Sequence, residues 1–395
     1  MWPLALATIL ALLADQPVPY QDFSKSGAGF YGSGRELPDP VGLRSIRIGV
    51  LGPEKDAIGI QQRAAIEMAL EEANQRGGFH PGNSPEIPYE MVFRGDDGPW
   101  GVAANQVVKM IYEDQVWTII GGLDGQHTHA AELVVAKAWV PVISPAAIDS
   151  TIEYANVPWV FRVAPSDSTQ AEALLTYARD RGYRELAVLS ETQRDAYSGF
   201  KRLEECSRKM RFPLASHLEY STVDPEAVVP RLRNLTVDGV IVWGSQDSAV
   251  VLIQAIRNAG IRVPVLGPSS LATPEMALKA PKSGRVVAAS PFDFTQDGVD
   301  LQGFIRRFEK RTGTPATWVA ASCYDVARLV IESIESAGLN RARIRDGISG
   351  ISFQGLTGRI GFNQLGGNDS RPVLMSLEAG RWVSIKAAIF NKGSN

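Results

Sequence analysis

The sequence predicts an α/β protein with two doubly wound parallel-sheet lobes. Its 395 residues are more than one typical domain requires. Hydrophobic residues make up 45% and charged residues 21% of the chain, and this ordinary globular usage excludes a disordered chain and a polytopic membrane protein. Short strands alternate with amphipathic helices in two successive runs, the pattern of βαβ units and parallel sheets.

The first run begins with a short β-branched strand at residues 46–51. Apolar residues then recur at Ile66, Ala69, Leu70 and Ala73, the spacing of an amphipathic helix, which Gly77 and Gly78 end. The same reasoning predicts the remaining elements of this run: strands at 86–93, 116–120, 140–143 and 159–163, and helices at 102–112 and 129–138.

The second run starts after Pro165 and repeats the alternation. It predicts strands at 186–189, 214–220, 240–243, 263–266 and 285–289, with a helix at 199–211 and further helices between them.

The last part of the chain breaks this rhythm. Two helices at 301–312 and 316–337 precede short strands at 359–362, 373–377 and 382–385. The turns at 366–369 and 378–380 have the composition of hairpin loops. Such an order suits two lobes that share the chain and exchange segments across a hinge.

The first 44 residues differ from the rest. Residues 4–14 form an uncharged run that is too short to cross a bilayer of about 30 Å and fits the apolar region of a secretory signal. We predict a signal peptide at 1–19 and a periplasmic or extracellular location; a buried N-terminal helix and a misplaced start codon are the alternatives. The Gly-, Ser- and Pro-rich segment 20–44 is predicted to be an irregular arm or linker.

The balance of charges and the few chelating residues limit the function. The chain has 40 Lys and Arg against 43 Asp and Glu, so its net charge of −3 argues against a nucleic-acid partner. Two cysteines and four histidines supply little material for a metal cage. We therefore predict no metal and no cofactor. Cys206 and Cys323 fall in separate predicted helices; they fit small buried residues better than a disulfide, which an exported protein could still form.

The motifs of common enzymes are absent from the sequence. No G-x-G-x-x-G follows the first strand, no Walker P-loop occurs, and the segments at Ser245 and Ser269 lack the glycines of a nucleophile elbow. His127 and His129 are two residues apart, which points them in different directions on a helix. We predict no catalytic residues and no enzymatic activity; Asp96, Asp97 and His127 are the candidates if an enzyme is nevertheless present.

A series of short segments resembles a known family. In chain order they are GVLGP at 49–53, Gly59, ANQRGG at 73–78, Asp96–Asp97, IIGG at 119–122, VISPAA at 142–147, FRV at 161–163, the strand at 239–244, LGP at 266–268, GRIGF at 358–362 and Trp382. Their order and spacing resemble the leucine/isoleucine/valine-binding protein family. These are type I periplasmic binding proteins, the extracellular receptors of ABC importers, and the resemblance spans residues 46–385.

The resemblance implies an architecture and a function. Two lobes joined by three crossings would trap a small ligand as they close, with lobe 1 formed by 45–163 and 292–356 and lobe 2 by 164–291 and 357–390. A binding protein of this kind delivers its ligand to an ABC permease in the membrane, and we expect a monomer. A ligand-sensing receptor domain that docks on a signalling partner is the alternative.

The resemblance also places ligand contacts, and most of them differ in this chain. The family's serine falls at Gly125, its threonine at Ile148, its acidic partner for the ligand ammonium at Ser269, and an aromatic residue near Ser245; Tyr197 keeps the family's tyrosine. An ammonium group without its anionic partner would cost about 1–3 kcal/mol. The resemblance therefore predicts a ligand other than a simple aliphatic amino acid.

The predicted ligand-binding residues combine these positions with their neighbours. Polar residues at a helix start and on the opposite loops suit a neutral polar or anionic ligand, and two aromatic residues could add a wall; some of them could instead be solvated loop residues. The set is Trp100, Gly125, Gln126, His127, Ala146, Ala147, Ile148, Tyr197, Ser245, Gln246 and Ser269.

Overall fold

The computed structural model describes residues 34–80, 85–281 and 283–385. The predicted signal peptide at 1–19 and the arm as far as residue 33 lie outside the described residues. Within the described ranges, no helix combines the length and apolar character needed to cross a membrane. Cys206 and Cys323 are both free thiols.

Lobe 1 is built on a parallel five-stranded sheet. Its strands are β1 (Ile46–Gly52), β2 (Tyr89–Gly95), β3 (Thr118–Gly121), β4 (Val142–Ser144) and β5 (Val160–Arg162), and their order is β2-β1-β3-β4-β5. Ile48 and Val50 are completely buried, as expected for a parallel sheet covered on both faces. The helices that follow these strands are α1 (Ala57–Gln75), α2 (Gly101–Tyr112), α3 (Gly125–Ala138) and α4 (Thr151–Tyr154).

Lobe 2 repeats the plan with five parallel strands. These are β6 (Leu186–Glu191), β7 (Leu214–Tyr220), β8 (Gly239–Trp243), β9 (Val265–Gly267) and β10 (Val286–Ser290), in the order β10-β9-β8-β6-β7. The helices are α5 (Asp167–Asp180), α6 (Arg194–Met210), α7 (Val229–Arg233), α8 (Gln246–Asn258) and α9 (Pro274–Lys279). Every residue of β6 and of β8 is buried, which fits central strands with helices on both sides.

The last segment serves both lobes. Helices α10 (Val299–Thr312), α11 (Trp318–Ala337) and α12 (Arg341–Gly350) and the hairpin of β11 (Phe353–Gly355) with β12 (Gly358–Ile360) return to lobe 1, where α11 packs on α1. Strands β13 (Val373–Glu378) and β14 (Arg381–Ser384) then extend the lobe 2 sheet as an antiparallel edge. The chain thus crosses between lobes three times, after β5, after β10 and after β12, and the predicted fold class is confirmed.

In the last segment, one turn matches the sequence prediction and two details differ from it. The hairpin turn at 378–380 is confirmed, because Glu378 pairs with Arg381. The hairpin at 366–369 is wrong: the Arg162 amide donates to the Gly366 carbonyl at 2.9 Å, so this turn lies beside the end of β5 instead of joining two strands. Phe353 and Ile360 both belong to the lobe 1 core, so the predicted boundary between 356 and 357 falls inside the β11–β12 hairpin.

The described end of the N-terminal arm is attached to lobe 1. The Arg35 guanidinium pairs with Asp346, and Asp39 pairs with Arg343. The Asn340 side-chain amide donates to the Gly34 carbonyl at 2.6 Å, which anchors the arm at the start of α12. Residues 34–39 therefore form a strap on lobe 1.

Candidate functional site

The candidate site is a cleft of about 810 Å³ lined by both lobes. Lobe 1 contributes the loops after β3 and β4, and lobe 2 contributes the loops after β6, β8 and β9. All of these are carboxyl ends of parallel strands, where α/β sheets commonly bind ligands because helices begin there. A cleft of this volume accommodates a small molecule.

The lobe 1 wall centres on the start of α3. The Asp124 side chain caps this helix: its Oδ1 accepts a hydrogen bond from the His127 amide at 2.8 Å, and its Oδ2 lies 2.7 Å from the ring Nδ1 of His127. The hydrogen bond with Asp124, reinforced by the charges of Asp124 and Asp96, outweighs burial and raises the pKa of His127 to about 9. His127 is therefore a cation at neutral pH, paired with Asp124.

The lobe 2 wall centres on Glu191, the last residue of β6. This carboxylate is 1% exposed; its Oε2 accepts from the Ser245 amide at 2.7 Å and its Oε1 accepts from the Ser245 hydroxyl at 3.2 Å. Ser245 precedes α8, so Glu191 caps the start of that helix. No cationic side chain of the described residues lies within 4 Å of the Glu191 carboxylate. A buried negative charge thus faces the cleft from lobe 2.

Polar contacts join the two walls along one edge of the cleft. Arg194 Nη1 donates to Asp149 Oδ2 at 2.7 Å, the Ser198 hydroxyl donates to Asp149 Oδ1 at 3.2 Å, and the Gly125 amide donates to Asp195 Oδ2 at 2.6 Å. Gly125 and Asp149 belong to lobe 1, whereas α6 carries the other three. We call these five residues the interlobe clasp.

The clasp holds Asp149 in its ionised form. Burial opposes the charge of Asp149, but hydrogen bonds from His129 and Thr151 together with the charge of Arg194 outweigh burial, so its pKa lies well below the usual range. Asp195 behaves differently: burial and the negative charges of Asp124 and Asp149 raise its pKa. The Gly125 amide and Arg194 thus hold the Asp195 carboxylate close to two other carboxylates that repel it.

A second contact between the lobes involves an aromatic residue. The Trp318 indole Nε1, at the start of α11 in lobe 1, donates to the Ser269 carbonyl of lobe 2 at 3.1 Å. The Ser269 amide in turn donates to Gln170 Oε1 at 2.8 Å. Trp318 and Trp243 both line the cleft and provide much of its aromatic surface.

The described residues that line the cleft are strongly acidic. Arg194 and His127 are the cations among them, and each is paired with carboxylates. The carboxylates of the lining belong to Asp56, Asp124, Asp149, Asp167, Glu191, Asp195, Asp247 and Glu275. Burial and the neighbouring negative charge of Asp149 raise the pKa of Asp167 to about 7, so that this group is partly ionised at neutral pH.

Most of the residues predicted from the sequence are brought together at the cleft. Seven of the eleven line it: Gln126, His127, Ala146, Ile148, Ser245, Gln246 and Ser269. All seven share one feature: each follows the carboxyl end of a strand in its lobe.

The other four predicted residues do not line the cleft. Trp100 follows β2, an edge strand of the lobe 1 sheet, and is 45% exposed outside the cleft. Ala147 is 1% exposed within the lobe 1 core. Tyr197 is half-exposed on α6, with the Lys201 ammonium 5.5 Å from its ring centroid, and Gly125 lies behind Asp195 in the clasp.

Several charged residues of the cleft were not predicted. Glu191 ends the buried strand β6, and the rule that placed Ser245 at a strand end could also have placed Glu191. No local signal marks Arg194, Asp195 or Trp318, because their positions depend on how the two lobes face each other.

The fold and its cleft define a two-lobed α/β protein with a ligand-sized site between the lobes. Residues 45–376 match the family model described as periplasmic binding protein. The chain therefore belongs to this family of periplasmic binding proteins, and membership implies an exported, extracytoplasmic protein.

Solved structures of similar proteins share the fold. The branched-chain amino acid transporter substrate-binding protein LivJ from Streptococcus pneumoniae, in complex with isoleucine, is 19% identical with a TM-score of 0.75; the match covers 86% of this chain and all of that one. A solute-binding protein of an ABC transporter from R. palustris, in complex with benzoate, is 18% identical with a TM-score of 0.75 and covers 86% and 95%.

A match to a curated relative covers part of each protein. Glutamate receptor 3.7 of Arabidopsis thaliana is 22% identical over 193 residues, which is 48% of this chain. The chain spans about a fifth of the length of this receptor and of glutamate receptor 3.4.

Proposed function

We propose that this protein is an extracytoplasmic receptor that traps a small polar ligand between its lobes and delivers it to an ABC importer. The observation that carries the proposal is the cleft of about 810 Å³, lined by strand ends of both lobes and bordered by contacts between them. The similar proteins solved with isoleucine and with benzoate support a small, polar ligand of this size.

The three crossings provide the hinge for capture. Opening would separate Arg194 from Asp149 and Trp318 from Ser269, and closing would restore both contacts. A ligand that touches both walls favours the closed form only by the difference between its affinities for the two forms. Closure is therefore a population shift that the ligand drives.

Binding without turnover is part of this proposal. The His127 ring is hydrogen bonded to Asp124 through Nδ1, and its Nε2 has no hydrogen-bond partner among the described residues. A general base of a nucleophilic enzyme needs a hydroxyl or thiol within hydrogen-bond reach. The described contacts of His127 thus support a charged wall residue and not a catalytic base.

A simple aliphatic amino acid is not the proposed ligand. Its carboxylate would need the Gly125 amide, which already donates to Asp195, and Ile148 offers no hydroxyl in place of the family's threonine. The ammonium of an amino acid could pair with the carboxylates of the cleft, so the carboxylate of the ligand is the group that would lack a partner.

A solute screen tests the proposal. The full chain is heated with amino acids, aromatic acids, amines, amides and polyols, and a ligand at about a hundred times its Kd should stabilise the protein by about 2.7 kcal/mol. At about 2–4 °C per kcal/mol this raises Tm by several degrees. Calorimetry should then give one ligand per chain without product formation. If no class of solute shifts Tm, the receptor function is wrong.

Delivery requires a separate measurement. Ligand-loaded protein should stimulate the ATPase of a partner ABC permease complex, reconstituted in liposomes, more strongly than ligand-free protein. The similarity to the glutamate receptors favours a second candidate, a sensing receptor for a signalling partner. A loaded protein that binds its ligand but leaves the ATPase unchanged would favour this second candidate.

A further inference from the structure

We infer that the ligand is a small organic cation, such as an amine or amidine, that carries no carboxylate. The inference rests on the proposed binding function and specifies the chemistry of its ligand. Three features of the cleft support it: a protein carboxylate on the helix start that an anion would use, two buried carboxylates without a cation, and an aromatic lining.

The start of α3 is already occupied by carboxylates of the protein. A helix N-terminus attracts anions because its first amides are free and its dipole is positive there. Here the Gly125 amide donates to Asp195 Oδ2 at 2.6 Å, and the His127 amide donates to Asp124 Oδ1 at 2.8 Å. A ligand carboxylate would have to displace Asp195 or lie beside it. Two carboxylates side by side repel each other.

The cations that line the cleft are already paired. Arg194 Nη1 lies 2.7 Å from Asp149 Oδ2 and 2.6 Å from Asp195 Oδ1, and His127 pairs with Asp124. Each of the two cations among the described lining residues thus already has a carboxylate that neutralises it, and His127 Nε2 is the one nitrogen of that ring without a hydrogen-bond partner. Anionic ligands therefore meet repulsion on both walls.

Two buried carboxylates of the lining form no ion pair within 4 Å among the described residues. Glu191 and Asp167 are each 1% exposed and line the cleft. Asp167 Oδ1 accepts from the Ser168 amide at 2.7 Å and the Ser150 amide at 3.2 Å, whereas its Oδ2 accepts no hydrogen bond. Burying a charge without a partner is costly. A cation bound near these groups would remove that cost.

The remaining lining suits an organic cation better than a bare metal ion. Trp243 and Trp318 line the cleft although both are largely buried, and indole rings attract ammonium and guanidinium groups. Leu123 and Ile148 add apolar surface for a hydrocarbon portion. Asp56 and Asp247 are exposed at the rim, where water screens them, so they would attract cations to the cleft and contribute little to holding them.

Matched ligand pairs test the inference by calorimetry on the full chain. The pairs are benzamidine and benzoate, 3-methylbutylamine and leucine, and agmatine and arginine; within each pair the two molecules share a similar skeleton. We expect each cation to bind at least about tenfold more tightly than its carboxylate-bearing partner. Equal or tighter binding of the carboxylate partner overturns the inference, as does absence of binding by all three cations at about 10 mM.

Failure of this inference differs from failure of the receptor function. If a neutral or anionic solute from the screen binds one to one and the cations do not, the receptor function stands and the ligand class is wrong. If no solute of either charge binds, the receptor function itself is wrong.

One variant and its control test whether the Glu191 carboxylate holds the cation. Glu191→Gln keeps an oxygen for the Ser245 amide and removes the charge, and it should weaken benzamidine binding at least about tenfold. Glu205→Gln is the control, because Glu205 lies on α6 outside the cleft lining and pairs with Lys209 at 2.8 Å; it should change affinity less than about twofold. Equal losses in both variants count against the inference.

Asp195→Ala tests the occupied helix start. This variant frees the Gly125 amide and should strengthen benzoate binding by about tenfold or more. Asp195 is partly exposed on α6, so the variant should fold even if Glu191→Gln does not. A folded Asp195→Ala protein, verified by circular dichroism, that binds benzoate no better than the unmodified chain contradicts the inference.

Discussion

Both walls of the cleft have a carboxylate hydrogen bonded to a backbone amide at a helix start, but the carboxylates come from different lobes. The helix is α3 in lobe 1 and α8 in lobe 2. In lobe 2 the Ser245 amide donates to Glu191 of the same lobe, whereas in lobe 1 the Gly125 amide donates to Asp195 of the opposite lobe. The first contact lies within one lobe, whereas the second joins the two lobes, so only the second would break in the proposed hinge motion.

Because of this difference, Glu191 and Asp195 have different roles in the cleft. In the proposed hinge motion, Glu191 would move with lobe 2 and stay at the cleft in both the open and the closed form. Asp195 would leave the Gly125 amide to water on opening, and it would have to be desolvated again on closing. A change at the α8 start should therefore affect folding, and a change at the α3 start should affect closure.

The largest effect is expected at Gly244, next to the α8 start. An alanine Cβ here would lie 2.1 Å from the Tyr220 hydroxyl and 2.9 Å from Glu191 Oε2, inside one lobe where nothing can separate them. Overpacking of this kind costs about 1–3 kcal/mol. Gly244→Ala should lower Tm by several degrees in a thermal melt. An unchanged Tm would show that the buried side chains of Tyr220 and Glu191 can move to accommodate the added methyl group.

The next effect is a pH dependence that belongs to the lobe 1 wall. The pKa of His127 is raised to about 9, chiefly by its hydrogen bond with Asp124, and that of His129 is also raised to about 9, where hydrogen bonds with Asp149 and Glu132 outweigh burial. Groups whose folded pKa is raised stabilise the fold fully below their unfolded pKa and lose this contribution as pH rises through the folded value. We expect the free energy of unfolding to fall between about pH 6.5 and pH 9.

Denaturant titrations across this pH window test the expectation. His127→Gln should reduce the slope of stability against pH, and the double variant with His129→Gln should reduce it further. His217→Gln is the control, because burial lowers the pKa of His217. A slope that the lobe 1 variants leave unchanged would mean that other groups titrate here.

The smallest effect on stability is expected at Asp195. Its carboxylate lies on α6 of lobe 2 and accepts from the Gly125 amide of lobe 1, so its removal leaves the interior of each lobe intact. The Asp195 side chain is also partly exposed. Asp195→Ala should therefore change the free energy of unfolding by less than about 1 kcal/mol.

The conformational effect of Asp195→Ala should nevertheless be measurable. Small-angle scattering of the ligand-free protein should show a larger radius of gyration than for the unmodified chain, and ligand should restore it less completely. A loss of stability equal to that of Gly244→Ala would contradict the distinction between the two walls.

The sequence predicted the parts of this molecule that depend on local pattern. Runs such as 186–189 and 240–243 read as buried strands because β-branched and aliphatic residues cluster between turn signals. The resemblance then placed Gln126, Ser245 and Ser269 at strand ends, and the structure puts these residues on one cleft. Seven of the predicted residues line it for this reason, although their contact with a ligand stays a prediction.

The remaining features depend on contacts between distant segments. Gly366 and Gly367 have the composition of a hairpin turn, but the backbone of β5 bonds to this turn and the two flanking strands never pair. Arg194 and Asp195 precede Tyr197 on α6, and the sequence does not reveal which of them face lobe 1. The acidic character of the cleft follows from this nonlocal arrangement, so it was missed.

The strap at residues 34–39 has a practical consequence for following the motion of the protein. It fixes the described N-terminal end to α12 of lobe 1, whereas the described C-terminal end at residue 385 follows β14 of lobe 2. A donor and an acceptor fluorophore, one beside each of these ends, would therefore report the separation of the lobes without a label inside the cleft. Under the proposed function, the distance between these two labelled positions would shorten when the ligand is captured.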